Sequence, residues 1–379
     1  MSFDLIRLLK YATEQDCSDL HITVGQPPIV RSRGELRWVK HEQLTSDEVH
    51  EAIYGILTER QIAQYEQDLQ LDFGWRISGV GRFRTNIYNH HKGEGAAFRI
   101  IPEKIRTLEE LAAPEAVYKL ARRQAGLVLV TGPSGSGKST TQAAMVDLIN
   151  RERRGHILTI EDPIEYVHES RSCLVTQREI GSNAESFASA LRAGLREDPD
   201  FILIGEMRDL DTISMALTAA ETGNLVVGTL QTRSAPDVAN RIIDVFPAGR
   251  HNQIRSMLAH TLQGVIAQQL LPSADGKGRI AVMEIMLANA AVRNMIREMK
   301  TSQLDSAIQT GVAEGMQTFD QALLNQYEKG RITLKAALQF ANDQSQFEKW
   351  ARGVSPTRTA TEQRSTEQPA RKETDETTS

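Results

Sequence analysis

A glycine-rich segment followed by lysine and serine carries the clearest chemical signal in this 379-residue sequence. Residues 126–131 form an apolar run typical of a buried strand, and a helical pattern begins at Lys138. Glycines let consecutive backbone N–H groups point inward around phosphates, a placement that a helix amino terminus also favours. Lys138 is expected to reach the β and γ phosphates, and Ser139 to ligate Mg²⁺. The predicted nucleotide contacts of this P-loop (Walker A) segment are Pro133, Ser134, Gly135, Ser136, Gly137, Lys138, Ser139 and Thr140.

Two further apolar runs end in carboxylates that could work beside a bound triphosphate. The first leads to Glu206, a Walker B arrangement in which the carboxylate contacts Mg²⁺ directly or indirectly. The second leads to Glu161, Asp162 and Glu165. Clustered carboxylates repel one another unless cations offset their charge, so this cluster favours a functional role over an acidic turn. Spacing alone does not decide which of these acids acts as the base.

The acids and the glycine-rich segment can meet only if a parallel sheet positions them. Short β-branched runs alternate with helical patterns, which is typical of a parallel sheet covered by helices on both faces. Because ligands bind at the carboxyl ends of such strands, we expect the acids to face the nucleotide. The four runs lie at residues 126–130, 156–160, 201–204 and 225–230.

The rest of the chain divides into further segments that differ in secondary-structure pattern and in apolar content. The amino-terminal segment mixes strand patterns and turn signals with one helical pattern over residues 46–67, as in a small α/β domain. Proline breaks indicate a linker, a late segment is mostly helical by period, and the last has too few apolar side chains to fold. We expect an amino-terminal domain at 1–101, a linker at 102–115, an ATPase core at 116–290, a carboxyl-terminal helical region at 291–350 and a disordered tail at 351–379.

Composition excludes several classes of protein. The net charge of -5 argues against a protein that binds nucleic acid directly through phosphate neutralisation. Two distant cysteines supply neither a disulfide framework nor a thiolate metal cage, which fits a reducing compartment. The sequence contains no apolar stretch long enough to cross a membrane. We therefore expect a cytoplasmic protein that reaches a membrane only through a partner.

In order and spacing, several segments resemble those of the secretion and pilus motor ATPases, most closely the PilT-type retraction ATPases. The resemblance covers roughly residues 1 to 345 and includes the P-loop. The other segments are Thr-Ile-Glu-Asp-Pro-Ile-Glu at 159–165, Leu-Arg-Glu-Asp-Pro-Asp at 195–200, Gly-Glu-Met-Arg-Asp at 205–209, Ala-Ala-Glu-Thr-Gly at 219–223 and Ala-Val-Arg-Asn-Met-Ile-Arg-Glu at 291–298.

The resemblance implies an α/β fold with a PAS-like amino-terminal domain and a RecA-like P-loop ATPase domain with a parallel sheet and carboxyl-terminal helices. It implies a homo-hexamer that hydrolyses ATP to retract a type IV pilus, as in twitching motility. The implied partners are an inner-membrane platform protein and a paralogous motor subunit, with the protein peripheral at that membrane. It assigns catalysis to Glu165, rather than Glu161, and to Glu206.

The resemblance also implies roles for basic residues. Arg82, Arg84 and Arg99 are expected to approach the phosphates in trans on ring closure, where they would neutralise the transferring phosphoryl group. An exposed strand face is the alternative for these arginines. Residues 291–298 resemble a helix associated with retraction, although simple core packing also explains its amphipathic pattern. The residues in question are Arg293, Asn294, Ile296, Arg297 and Glu298.

One position departs from the family pattern. Gln231 stands where the family usually has a histidine after the strand that ends near Thr229. Both side chains form hydrogen bonds, but only histidine becomes charged near neutral pH. The departure concerns γ-phosphate sensing by Gln231 and leaves the P-loop and both glutamates unchanged, so we still expect hydrolysis.

Two rival functions share the nucleotide motifs. Pilus assembly and type II secretion ATPases usually carry a tetracysteine insertion and a longer amino-terminal region, neither of which this sequence has. A weakly hydrolysing accessory subunit of the motor is the other rival, and the altered Gln231 favours it. Measured ATP turnover separates a hydrolysing motor from such an accessory subunit.

Overall fold

The structure is a computed structural model, and it describes residues 3–15, 17–32, 34–101 and 104–353. Residues 354–379, nearly all of the predicted tail, lie outside the described residues, so the prediction of disorder stays a prediction. Among the described helices, none has both the length and the apolar character that crossing a membrane requires.

The elements of the amino-terminal part are α1 (Leu5–Glu14), β1 (Asp19–Thr23), β2 (Ile29–Ser32), β3 (Glu35–Trp38), α2 (Ser46–Tyr54), α3 (Glu59–Asp68), β4 (Gln70–Ile77), β5 (Gly81–His90) and β6 (Gly93–Ile101). The strands form an antiparallel sheet with the order β3-β2-β1-β6-β5-β4. Strand β5 alternates buried and half-buried residues, so Phe83 and Thr85 face the core while Arg82 and Arg84 face away.

The helical pattern over residues 46–67 does not form one continuous helix. Helix α2 ends at Tyr54, and Thr58 caps the start of α3 with a capping box in which its hydroxyl accepts from Gln61 N–H while the Gln61 side chain accepts from Thr58 N–H. A threonine with a glutamine three residues later is a helix start signal, which outweighs continuity of the apolar period.

The middle part of the chain contains α4 (Glu115–Ala121), β7 (Gly126–Thr131), α5 (Lys138–Glu152), β8 (His156–Glu161), β9 (Leu174–Glu179), α6 (Phe187–Gly194), β10 (Phe201–Ile204), α7 (Leu210–Glu221), β11 (Leu225–Leu230), α8 (Asp237–Ile243), α9 (His251–Thr261), β12 (Leu262–Pro272) and β13 (Arg279–Leu287). Its strands form a second, seven-stranded sheet with the order β13-β12-β7-β11-β10-β8-β9, which is parallel except for the β12–β13 pair.

Apolar clusters cover both faces of this second sheet. Leu129 and Ile204 contribute to one cluster, while Val128 and Leu203 contribute to the other. Alternate residues of each strand therefore point to opposite faces, as the near-continuous apolar runs predicted. The predicted α/β class with helices on both faces of a parallel sheet is confirmed.

Helices dominate the carboxyl-terminal part, as predicted. The elements are α10 (Ala290–Arg297), α11 (Leu304–Thr310), α12 (Phe319–Glu328), α13 (Leu334–Phe340) and α14 (Gln344–Ala351). Three of them, α12, α13 and α14, pack their apolar side chains against Leu271 of β12 and Val282 of β13. Because these helices share a core with the sheet edge, the predicted boundary near residue 290 stays a prediction.

Candidate active site

The P-loop connects the end of β7 to the start of α5 at the carboxyl edge of the second sheet. Gly135 and Gly137 adopt φ values of +75° and +87°, which residues with a side chain rarely adopt. In such a conformation consecutive backbone N–H groups can point toward a phosphate. The Ser136 hydroxyl is buried and has no hydrogen-bond partner among the described residues. A buried, unpaired hydroxyl within a nest of N–H groups fits a phosphate ligand.

Lys138 lies at the centre of the predicted site. Its ammonium donates hydrogen bonds to the carbonyl oxygens of Gly132 and Pro133, at 2.8 and 2.9 Å. Burial lowers the pKa of Lys138, and the nearby carboxylates of Glu206 and Glu165 oppose that shift. The two predicted glutamates therefore influence the charge of the P-loop lysine, and the joint catalytic role of the three residues stays a prediction.

Glu206 follows β10 and is held from two sides. The Gln231 amide donates to its Oε1 at 2.6 Å, and Arg208 forms an ion pair with the same oxygen. Gln231 leaves the adjacent strand β11, whose backbone also anchors the β10 exit through a bond from Met207 N–H to Thr229 C=O. The residue in the usual histidine position therefore contacts the Walker B carboxylate.

The two glutamates of the acidic cluster have different surroundings. Burial raises the pKa of Glu161 to about 7, although hydrogen bonds from Thr159 at 2.7 Å and Gln177 at 3.3 Å oppose the shift. Glu165 instead lines a cavity of 560 Å³ between the N-terminal sheet and α5, which Arg82 also lines. Hydrogen bonds within the chain thus occupy the Glu161 carboxyl, and the catalytic role of Glu165 stays a prediction.

The three predicted arginines share one face of the amino-terminal sheet. The Arg82 guanidinium pairs with Glu179 at 3.0 Å, and Arg84 opposes the rise in the pKa of Asp162 that burial causes. Arg99, opposite Arg84 on β6, pairs with Asp19 at 2.9 Å. Arg82 and Arg84 therefore approach the acidic cluster of their own chain, and their action on a neighbouring subunit stays a prediction.

Helix α10 carries the residues that resemble the retraction motif. Ile296 is buried in the core, and the Arg293 guanidinium donates to the carbonyls of Ala259, His260 and Ala288 at 2.5–2.7 Å. Both residues therefore anchor α10 against the end of α9. The exposed members of the motif are Asn294, Arg297 and Glu298, of which Glu298 pairs with Lys300.

One residue that supports the P-loop was not predicted from the sequence. Gln268 of β12 is buried, and its amide donates to the Ser136 carbonyl at 2.7 Å while its oxygen accepts from the Thr141 hydroxyl at 2.7 Å. One side chain thus holds the loop and the first turn of α5 together. A glutamine within the apolar run of β12 was the available signal, because buried polar groups need partners.

Tyr166 and Gln177 were missed as well. The Tyr166 hydroxyl forms a hydrogen bond with the Thr140 hydroxyl at 2.9 Å. The Gln177 amide donates to the Tyr166 carbonyl at 2.8 Å, and its oxygen accepts from His168 N–H at 2.7 Å. These bonds fix the loop that follows Glu165 and attach it to the P-loop helix.

The residues present can hold a magnesium nucleotide only with help from its phosphates. No cluster of three or more His, Cys, Asp or Glu side chains that could bind a metal ion occurs among the residues that the structure describes. The binding of Mg²⁺ by Ser139 and Glu206 stays a prediction, and such an ion would take its other ligands from phosphate oxygens and water.

A sequence profile of the type II/IV secretion system protein family matches residues 5–339. The chain belongs to this family. A protein of Pseudomonas aeruginosa named as the type IV pilus retraction ATPase PilT is 49% identical over 344 residues, which cover 91% of this chain and 100% of the relative. A twitching motility protein of Neisseria gonorrhoeae is 47% identical over 337 residues, 89% of this chain and 90% of the relative.

A solved structure of a member of this secretion family is also similar over nearly its whole length. It is described as the pilus retraction motor PilT with bound ADP, and it matches with a TM-score of 0.84 and 44% identity. The match covers 92% of this chain and 99% of the other. The predicted order of an amino-terminal domain followed by an ATPase fold is confirmed.

Replacement of Gln268 by leucine is expected to weaken ADP binding about tenfold, because the Ser136 carbonyl and the Thr141 hydroxyl both lose their partner. Fluorescence titration with a labelled ADP measures the affinity. Gln269→Leu on the opposite face of β12 is the matched control and should stay within twofold of wild type. Equal losses in both variants would contradict the supporting role of Gln268.

Replacement of Glu161 by glutamine should change how stability depends on pH. The carboxyl has a pKa near 4.5 when unfolded and about 7 when folded, so the folded state binds the extra proton between these values. Wild-type stability therefore falls as pH rises through this window, by about 3 kcal/mol, and the non-titrating variant escapes that loss. Urea unfolding of both proteins at pH 4.5, 6 and 8 measures the gap, and a gap that stays constant would contradict the assignment.

Proposed function

We propose that this protein is an ATP-hydrolysing motor that powers the retraction of type IV pili. The observation that carries the proposal is the P-loop lysine at the carboxyl edge of the second sheet, where Glu206 also lies at the exit of β10. The 49% identity to a protein named for pilus retraction supports the mechanical role, since the relative is covered along its full length. Phosphate binding and clustered acids supply what hydrolysis needs.

Binding uses the P-loop and its lysine. The triphosphate is held by loop N–H groups, and Lys138 exchanges the carbonyls of Gly132 and Pro133 for phosphate oxygens. Bound Mg²⁺ would offset the charge of the β and γ phosphates, with Ser139 as a ligand and Glu206 beside it. Gln231 keeps the Glu206 carboxylate oriented through its 2.6 Å hydrogen bond.

Glu165 orients and polarises the attacking water. Glu165 lies on the wall of the interdomain cavity, which gives it access to solvent, whereas the carboxyl of Glu161 is enclosed by Thr159 and Gln177. Arginines of the amino-terminal sheet other than Arg82, which pairs with Glu179, complete the charge compensation when the domains close. The electrostatic contributions favour the transition state because they are arranged before reaction.

The mechanical role follows from assembly and closure. We infer a homo-hexamer at the cytoplasmic face of the inner membrane, in which successive domain closures turn a platform protein and withdraw pilin subunits. A paralogous motor subunit is a further candidate partner. The moving units are the segments predicted above, with residues 1–101 as the amino-terminal domain, 116–290 as the ATPase core and 291–350 as the helical region.

The accessory-subunit alternative rests on Gln231. A glutamine cannot gain charge near neutral pH, so a subunit with this residue could bind nucleotide while turning it over slowly. Pilus assembly and type II secretion are less favoured, because the tetracysteine insertion usual in those ATPases needs four cysteines. This sequence has only Cys17 and Cys173, which are both buried.

Replacement of Glu165 by glutamine is expected to lower kcat at least 100-fold while ADP affinity stays within twofold, because the amide cannot accept the proton of the attacking water. A phosphate-release assay with full-length protein and Mg²⁺ measures turnover. A wild type no faster than Glu165→Gln would contradict the enzyme assignment and favour the accessory role.

Replacement of Gln231 by histidine is expected to add a titration near pH 6.5 to the kcat profile, since the new side chain becomes charged beside Glu206. The assay compares turnover of wild type and variant between pH 5.5 and 8.5. Profiles that superimpose after scaling would show that position 231 is a passive contact.

A further inference from the structure

The carboxylate of Glu179 joins the amino-terminal sheet to the loop that carries Glu165. Glu179 is the last residue of β9, and its Oε2 accepts a hydrogen bond from the Arg82 guanidinium at 3.0 Å. The same oxygen accepts from the backbone N–H of Ile164, also at 3.0 Å. One oxygen atom therefore contacts both β5 and the residue immediately before Glu165.

The rest of the Glu179 side chain is fixed as well. Its Oε1 accepts from the Ser182 hydroxyl at 3.1 Å, and its backbone N–H donates to the Asn183 side chain at 3.0 Å. The side chain is only 9% exposed, and that of Arg82 is 17% exposed. A carboxylate this buried needs a countercharge, which Arg82 supplies from the amino-terminal sheet.

Gly74 of β4 makes room for this ion pair. A Cβ atom at this position would lie 2.9 Å from Nη2 of Arg82 and 3.0 Å from Oε2 of Glu179. Gly74 lies opposite Arg84 in the β4–β5 register, on the sheet face that also carries Arg82. The strand pairing therefore places Gly74 beside the ion pair. The absence of a side chain at this position thus permits the contact between the two parts of the chain.

We propose that Glu179 is a positioning residue for Glu165, and that its ion pair with Arg82 couples the placement of the amino-terminal sheet to ATP hydrolysis. The inference rests on the proposed role of Glu165. Withdrawal of Arg82 leaves the carboxylate without its countercharge, and the carboxylate then rearranges together with the Ile164 N–H that it holds. Glu165 moves with Ile164, so its alignment with the attacking water depends on domain placement.

This role of Arg82 lies within its own chain. An arginine that acted only on the phosphates of a neighbouring subunit would make no demand on the charge of Glu179. Neutralisation of Glu179 therefore separates coupling within the chain from action in trans.

The test measures steady-state ATP turnover and ADP affinity of the full-length assembled protein. Glu179→Gln keeps the acceptor for Ile164 but removes the charge that holds Arg82. We expect kcat to fall at least tenfold while ADP affinity stays within twofold of wild type. The matched control is Glu152→Gln, which neutralises an exposed acid paired with Arg122 and should keep kcat within twofold.

Gly74→Ala provides an independent perturbation, because the added methyl group separates the pair without changing any charge. We expect it to lower kcat with the same unchanged ADP affinity, and Arg82→Gln combined with Glu179→Gln to be no slower than the slower single variant.

An active wild type with Glu179→Gln and Gly74→Ala both within twofold in kcat would overturn the coupling. Equal losses of kcat and ADP affinity would also overturn it, since they indicate general damage to the fold. A wild type without turnover would instead overturn the proposed function.

Discussion

The charge of Lys138 is the constraint on which the rest of the site depends. An ammonium removed from water needs acceptors, and here it has the carbonyls of Gly132 and Pro133 with the carboxylates of Glu165 and Glu206 nearby. A triphosphate can replace those carbonyls only if loop, helix and acids meet at one point. A parallel sheet meets that requirement because the carboxyl ends of its strands share one edge.

Buried side chains from two strands of the second sheet support the P-loop and the loop that carries Glu165. Gln268 on one side of β7 holds the P-loop, while Glu179 on the far strand β9 holds the loop that carries Glu165. Both use hydrogen bonds made in a protein interior, where rigid geometry limits movement. The two supports differ in one respect, because only that of Glu179 reaches the amino-terminal sheet, through Arg82.

Local patterns predicted the parts of the fold that local physics determines. The P-loop and the four apolar strands follow from backbone freedom and burial, and they lie where the sequence placed them. The break near Thr58 was visible as a capping signal and was missed. The contacts of Gln268 and Glu179 were not predictable, because their partners lie 127 and 97 residues away in sequence. No periodicity encodes such distances.

The most direct test of the central claim is a structure of the full-length protein with Mg²⁺ and a non-hydrolysable ATP analogue. We predict the γ-phosphate in contact with Lys138, which has released the carbonyls of Gly132 and Pro133, with Ser139 and Glu206 at the metal and Glu165 facing the γ-phosphate. A triphosphate bound away from Lys138, or Glu165 turned from the γ-phosphate, would contradict it.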